Sequence, residues 1–161
     1  MDDEIIYKPI GIVHTPHKTI EDIPIQPVAA AGVKGEVEIF EVFKEGLRDL
    51  DGFSHIYLLY DFHKTKDYSL LVKPFLDDQL RGIFATRAPK RPNRIGLSVL
   101  KLIGVEDNKV YVENVDILDG TPVLDIKPYS SIFNAVENER IGWMEKSIDE
   151  SYKKKSDKRF K

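Results

Sequence analysis

Six Lys or Arg residues and no Asp or Glu occupy the 81–101 segment of a chain whose net charge is −3. The centre of that segment reads RAPKRPNR, residues 87–94. Pro89 and Pro92 fix their own φ and bias the preceding Ala88 and Arg91 towards extended backbone. Arg87, Lys90, Arg91 and Arg94 therefore sit on a stiff loop that loses little entropy when it receives an anion. Guanidinium groups offer planar, paired donors to phosphate or carboxylate. The spacing suits anion recognition; the plainer alternative is a solvated loop whose cations pair with Asp or Glu elsewhere. A second basic run, KKKSDKRFK at 153–161, reads as a solvated, frayed tail. His14 and His17 stand three apart but lack a matching third ligand, and the chain has no cysteine. No metal site and no disulfide is expected.

Elements able to hold the basic loop can be read on both sides of it. The alternation in EVEIFEVF, residues 36–43, puts Val37, Ile39, Glu41 and Phe43 on one face of a strand. Residues 5–13 and 54–62 are apolar, aromatic or β-branched and also read as strands. The 95–105 and 109–118 runs form a hairpin about Asp107-Asn108. In the second of these, Val110 and Val112 face one way and Val115 and Ile117 the other. A bulge or bend near Asn114 is therefore expected. Asp119-Gly120-Thr121-Pro122 is a turn, and 123–126 is a short last strand. Residues 14–35 form a long loop rich in Pro, Ala and Gly. KEGLRDL, residues 44–50, suggests a short helix that stops at Gly52, and 139–152 a longer one. Many short strands without a βαβ alternation predict a mainly β protein: a small closed β-barrel with one or two peripheral helices. The expected division is a barrel over 1–135, a helix over 136–152 and a flexible basic tail over 153–161. With 161 residues the chain suffices for one core. No apolar run is long enough for a membrane helix, and the acidic start MDDEIIYKPI is unlike a signal peptide. A cytoplasmic protein is expected.

IFATRAPKRPNRIGLSVLKL at 83–102, followed by DILDGTPVLDIKPY at 116–129, resembles the TrmO family of tRNA methyltransferases. PIGIVHTPHK, IPIQP at 23–27 and GFSHIYLLYDFHK at 52–64 agree, so the resemblance covers most of 9–129. Arg94 departs from it, standing where the family usually has Pro. The extra C-terminal domain of some relatives is not expected. The resemblance implies a β-barrel homodimer that uses S-adenosylmethionine, bound near the interface, to methylate N6 of threonylcarbamoyl-adenosine beside the tRNA anticodon. No G-x-G-x-x-G follows a strand, so a conventional nucleotide-binding βα turn is absent from the sequence.

The family pattern further implies cofactor contacts at Pro24, Ile25, Gln26, His63, Lys64, Arg87, Leu97 and Asp116, Ile117, Leu118 and Asp119. Arg87 suits the cofactor's carboxylate, an Asp its ribose or amino group, and Leu97 and Ile25 its purine. The N6 proton lies between a purine and a carbonyl, so a weak acceptor suffices; Asp119 and then His63 are the candidates. Asp119 has a competing role as a turn former. Lys90, Arg91, Arg94 and Lys101 are the expected RNA contacts, with Tyr129 or Phe133 available for stacking and Trp143 packed. Two rival functions stay open: a non-catalytic OB-like barrel that holds RNA, and an adenine-ligand enzyme that ignores RNA.

Overall fold

The structure, a computed structural model, describes residues 4–24, 30–75 and 77–146. Eight strands occur among them: β1 (Gly11–His14), β2 (Lys34–Ile39), β3 (His55–Asp61), β4 (Leu71–Val72), β5 (Arg81–Gly82), β6 (Ile95–Glu106), β7 (Lys109–Glu113) and β8 (Thr121–Pro128). Six of them close a barrel in the order β1-β2-β7-β6-β3-β8, with every neighbouring pair antiparallel. The expected closed barrel is thus the observed one. Closure leaves this sheet without an edge to protect. β4 and β5 form a separate two-stranded ribbon in the long connection between β3 and β6.

Period-2 alternation fills the interior. Ile56, Leu58 and Tyr60 on β3 point inward, opposite Leu100, Ser98 and Gly96 on β6. Val37, Ile39, Val110, Val112 and Val123 complete the surrounding wall. Each such side chain contributes about 1.5–3 kcal/mol on leaving water. Asn114 has φ 67°, a left-handed conformation that Asn tolerates. It reverses the face of the chain, so Val115 and Ile117 are buried like Val110 and Val112 before them. The β6–β7 hairpin turns at Asp107, φ 55°, while the Asn108 side chain donates to the Ile39 carbonyl at 2.8 Å.

Several boundaries differ from the sequence expectation; the 109–118 strand ends at Glu113, and the last strand runs Thr121–Pro128 rather than 123–126. The first strand begins at Gly11 rather than residue 5, since the exposed Ile5, Ile6 and Tyr7 lie before any partner strand. The strand expected over 36–43 ends at Ile39. The chain then enters a 3-10 turn, Glu41–Leu47, which buries Leu47 against the core and leaves Val42 and Phe43 exposed. A second 3-10 turn, Leu50–Gly52, includes Gly52 rather than stopping before it. In place of the helix expected over 139–152, the described part forms a 3-10 turn, Gly142–Lys146, entered through Gly142 at φ 60°. A short helix, α1 (Ser131–Asn134), precedes it. The remainder of that expected helix and the basic tail lie outside the described residues.

Candidate active site

A cleft of about 450 Å³ opens where the end of β3 and the start of β6 meet the loops. That is within the roughly 300–1,000 Å³ of small-ligand sites. Its walls come from Tyr60 and Asp61, the turn at 62–65, the loop at 84–89, Leu97, the 116–118 segment, Pro24 and the Trp143-Met144 pair. Of the expected cofactor contacts, Pro24, His63, Lys64, Arg87, Leu97, Asp116, Ile117 and Leu118 lie together on these walls. Ile25 and Gln26 fall outside the described residues.

Asp119 is placed differently. Its Oδ1 accepts from the Thr15 backbone N–H at 2.9 Å, and its Oδ2 lies 2.7 Å from Lys18 Nζ. It lines a shallow depression beside His14 and Lys34, not the cleft. Lys18 and the Thr15 N–H hold its carboxyl below the usual range. The Asp119 carboxylate thus ties the loop after β1 to the turn before β8, bonding a distant segment rather than its own turn. Asp116, three residues earlier, does line the cleft. Its Oδ1 accepts from Ser98 Oγ at 2.8 Å, and Ser98 Oγ lies 3.1 Å from the Tyr60 hydroxyl. Ser98 has a single proton and gives it to Asp116, so Tyr60 donates to Ser98. Burial pushes Asp116 up to about 6, against the opposing effects of the Ser98 bond and the nearby Arg87 charge. Burial also raises the Tyr60 phenol, so it stays a donor.

His63 is half-buried on the turn after β3, and burial followed by the Lys64 charge lowers its pKa. The ring is neutral at pH 7 and able to accept a proton. Arg87 donates to the Leu97 carbonyl. Four aromatic side chains, Phe62, Phe75, Phe84 and Trp143, supply flat apolar surface. Trp143 donates to the Ala85 carbonyl at 2.9 Å and lies 5.8 Å from the Arg81 guanidinium. Of the candidate stacking residues, Phe133 is exposed, whereas Tyr129 packs edge-on against Tyr57 at 5.3 Å.

The cations of the basic loop are mostly engaged within the chain. Arg91 Nη1 donates to the carbonyls of Thr86 at 2.7 Å and Ile83 at 3.1 Å, and its guanidinium lies 5.9 Å from the Phe84 ring. Arg94 Nη1 donates to the Thr65 carbonyl at 2.6 Å, with Nε 3.6 Å from Asp61. Lys101 pairs with Glu113 at 2.9 Å on the barrel wall, away from the cleft. Lys90 immediately precedes Arg91, and its carbonyl accepts from the Ser69 N–H at 3.1 Å. The segment can dispense with carboxylates because its arginines mainly answer backbone carbonyls. Sequence reasoning missed Tyr60 and Ser98. A signal existed: in IGLSVLKL, Ser98 occupies an inward position that alternation reserves for apolar side chains.

His17 is buried, with Nε2 3.0 Å from the Val115 carbonyl. His14 instead sits beside Glu36 and Glu38 on the surface, with Nε2 2.9 Å from Glu38. The two histidines do not converge.

A closed barrel whose loops build an apolar cleft with a carboxylate, a guanidinium and an imidazole on its walls belongs to the class of barrels suited to hold a small ligand. The family model described as the tRNA-methyltransferase O N-terminal domain matches residues 12–135. The chain belongs to the TrmO family. It is 51% identical over 156 residues to a Pyrococcus abyssi protein named "Probable S-adenosyl-L-methionine-binding protein", covering 97% of this chain and 85% of that one. It is 38% identical over 141 residues to the mouse tRNA (adenine(37)-N6)-methyltransferase, covering 83% of this chain but 33% of the mouse protein. The crystal structure of TrmO from Pseudomonas aeruginosa superposes with a TM-score of 0.74 at 37% identity, covering 88% of this chain and 63% of that one. The chain therefore spans under two thirds of those two proteins.

Proposed function

We propose that this protein is an S-adenosylmethionine-dependent methyltransferase acting on N6 of threonylcarbamoyl-adenosine beside the tRNA anticodon. The observation that carries the proposal is the convergence of eight expected cofactor contacts on one cleft. The donor set fits the cofactor chemically. Arg87 suits its carboxylate, Asp116 its cationic part, and Leu97, Ile117 and Leu118 the faces of its purine. Bound there, the cofactor supplies an electrophilic methyl group. The protein's part is mainly alignment and exclusion of water, and Phe75, Phe84 and Trp143 suit the second task. His63, neutral and on the wall, is the proposed acceptor of the N6 proton, the role Asp119's placement leaves to it. Lys64, exposed at the rim, supplies a cation for the tRNA backbone. A cytoplasmic homodimer is part of the same reading; Ile132, Phe133 and Val136, all exposed, supply apolar surface for it.

The test combines calorimetry with methyl transfer. S-adenosylmethionine should bind, and labelled cofactor should pass its methyl group to threonylcarbamoylated tRNA but not to unmodified tRNA. Binding without transfer would favour the adenine-ligand enzyme; absence of binding would favour the RNA-holding barrel.

A further inference from the structure

Asp116 is an uncommon carboxylate. It lines an apolar cleft, and one oxygen is held by a hydrogen-bond chain that starts at the Tyr60 phenol and passes through Ser98. Such a chain stabilises the ionised form, because both hydroxyl protons point towards the carboxylate. Yet no Lys or Arg among the described residues lies within ion-pair distance of it. Arg87, the nearest acting cation, gives its hydrogen bond to the Leu97 carbonyl instead. A charge removed from water and held ionised without a counter-ion is costly unless a ligand completes the pair.

We infer that Asp116 is a specificity-determining residue that recognises the sulfonium charge of the methyl donor and so separates S-adenosylmethionine from its neutral thioether product. This rests on the proposed use of S-adenosylmethionine. The two molecules share purine, ribose, carboxylate and ammonium; they differ in one methyl group and one positive charge. A wall that is otherwise apolar distinguishes them weakly, since a methyl group in an apolar pocket is worth little discrimination. A desolvated anion distinguishes them strongly. The consequence for turnover is direct. Once the methyl group has left, the carboxylate faces an uncharged sulfur and the product loses its hold, which frees the cleft for the next donor.

Proton linkage gives the inference a signature. Because burial places Asp116 at about 6, the cation must bind the ionised form, and affinity for the donor should fall as pH drops through that value, by about tenfold per pH unit at the limit. Affinity for the product should be much flatter. The other charged or titratable groups on the cleft among the described residues are Tyr60, whose burial keeps it protonated far above this window, and Arg87, Lys64, His63 and Asp61, the last beside Arg94. Of these, His63 could titrate in the same window, so His63→Asn serves as the control.

The test is calorimetric titration of S-adenosylmethionine and S-adenosylhomocysteine into the wild-type chain, Asp116→Asn and Ser98→Ala. Asp116→Asn keeps an acceptor for Ser98 and removes only the charge. It should weaken the donor by roughly tenfold or more while changing the product less than about threefold. Ser98→Ala removes a bond that lowers the Asp116 pKa, so the pH at which donor affinity falls should move upward. If Asp116→Asn weakens both ligands equally, Asp116 reads the shared ammonium or ribose and the inference fails. It fails also if the pH dependence persists in Asp116→Asn and vanishes in His63→Asn. Should the wild-type chain bind neither molecule, the proposed cofactor is wrong and the inference falls with it. Should Asp116→Asn not fold, the Ser98→Ala shift decides alone, and its absence overturns the inference.

Discussion

The barrel and the loop layer above it are built from the same chain by different means. In the barrel, backbone groups are satisfied by antiparallel ladders, and the interior is filled by Ile, Leu and Val. In the 62–94 layer, strand pairing is confined to the two residues each of β4 and β5. Side chains must therefore do part of what a ladder does elsewhere. Arg91 gathers the Ile83 and Thr86 carbonyls, and Arg94 reaches across to Thr65. Guanidinium donors thus stand in for missing strand neighbours and cover backbone acceptors that would otherwise be left unmet. The difference separates two properties. Apolar burial sets whether the protein folds, whereas the arginine bonds set whether the cleft keeps its shape.

The strongest way to break this division is in the barrel. Leu58→Ala, at a side chain with 0% exposure, should cost about 2–5 kcal/mol and lower the melting temperature by roughly 5–15 °C. Ligand affinity measured well below the new melting point should stay near the wild-type value. A parallel loss of affinity would show that the two layers are not separable.

Arg91→Ala should do the reverse. The melting temperature should move by no more than about 3 °C, while affinity for S-adenosylmethionine weakens by roughly five- to tenfold, equivalent to about 1–1.4 kcal/mol. Limited proteolysis should find the 83–91 backbone more accessible. Arg91→Lys should not restore affinity, because an ammonium cannot reproduce the spread of a planar fork.

Lys18→Ala sharpens the comparison with the smallest effect. Lys18 is largely exposed, so its pairing with Asp119 contributes little at neutral pH. The sign follows from Asp119, whose carboxyl is held low in the folded state. Its contribution is present above the ordinary carboxylate range and lost as pH falls through the folded value. Thermal melts should therefore show the variant and wild-type converging in acid, with any difference confined to higher pH. Cofactor affinity should be unaltered, since this pair lies off the cleft.

Much of the barrel was legible because period-2 alternation reports one buried face wherever strands pair. Even the reversal at Asn114 showed, as a change in which residues were apolar. Boundaries were harder: EVEIFEVF keeps its alternation past Ile39, but no neighbour remains to pair with Val42 or Phe43. The cleft residues drew together as their motifs implied, yet their roles were not written locally. Asp116 and Asp119 are the same residue type three positions apart. One reaches a phenol from β3 through a serine from β6, and the other a lysine from the loop after β1. The arginine partners were invisible for a simpler reason. Backbone carbonyls carry no letter in a sequence, so a cation bound to one looks like a cation awaiting a ligand.

Gly96 lies opposite Tyr60 in the β3–β6 register, and a Cβ built there would be 2.2 Å from the ring atom Cε2. The smallest methyl group would therefore push the ring from the wall and carry its hydroxyl away from Ser98. A residue with no side chain thus leaves room for the phenol at the far end of the chain of donors that leads to a carboxylate it never touches.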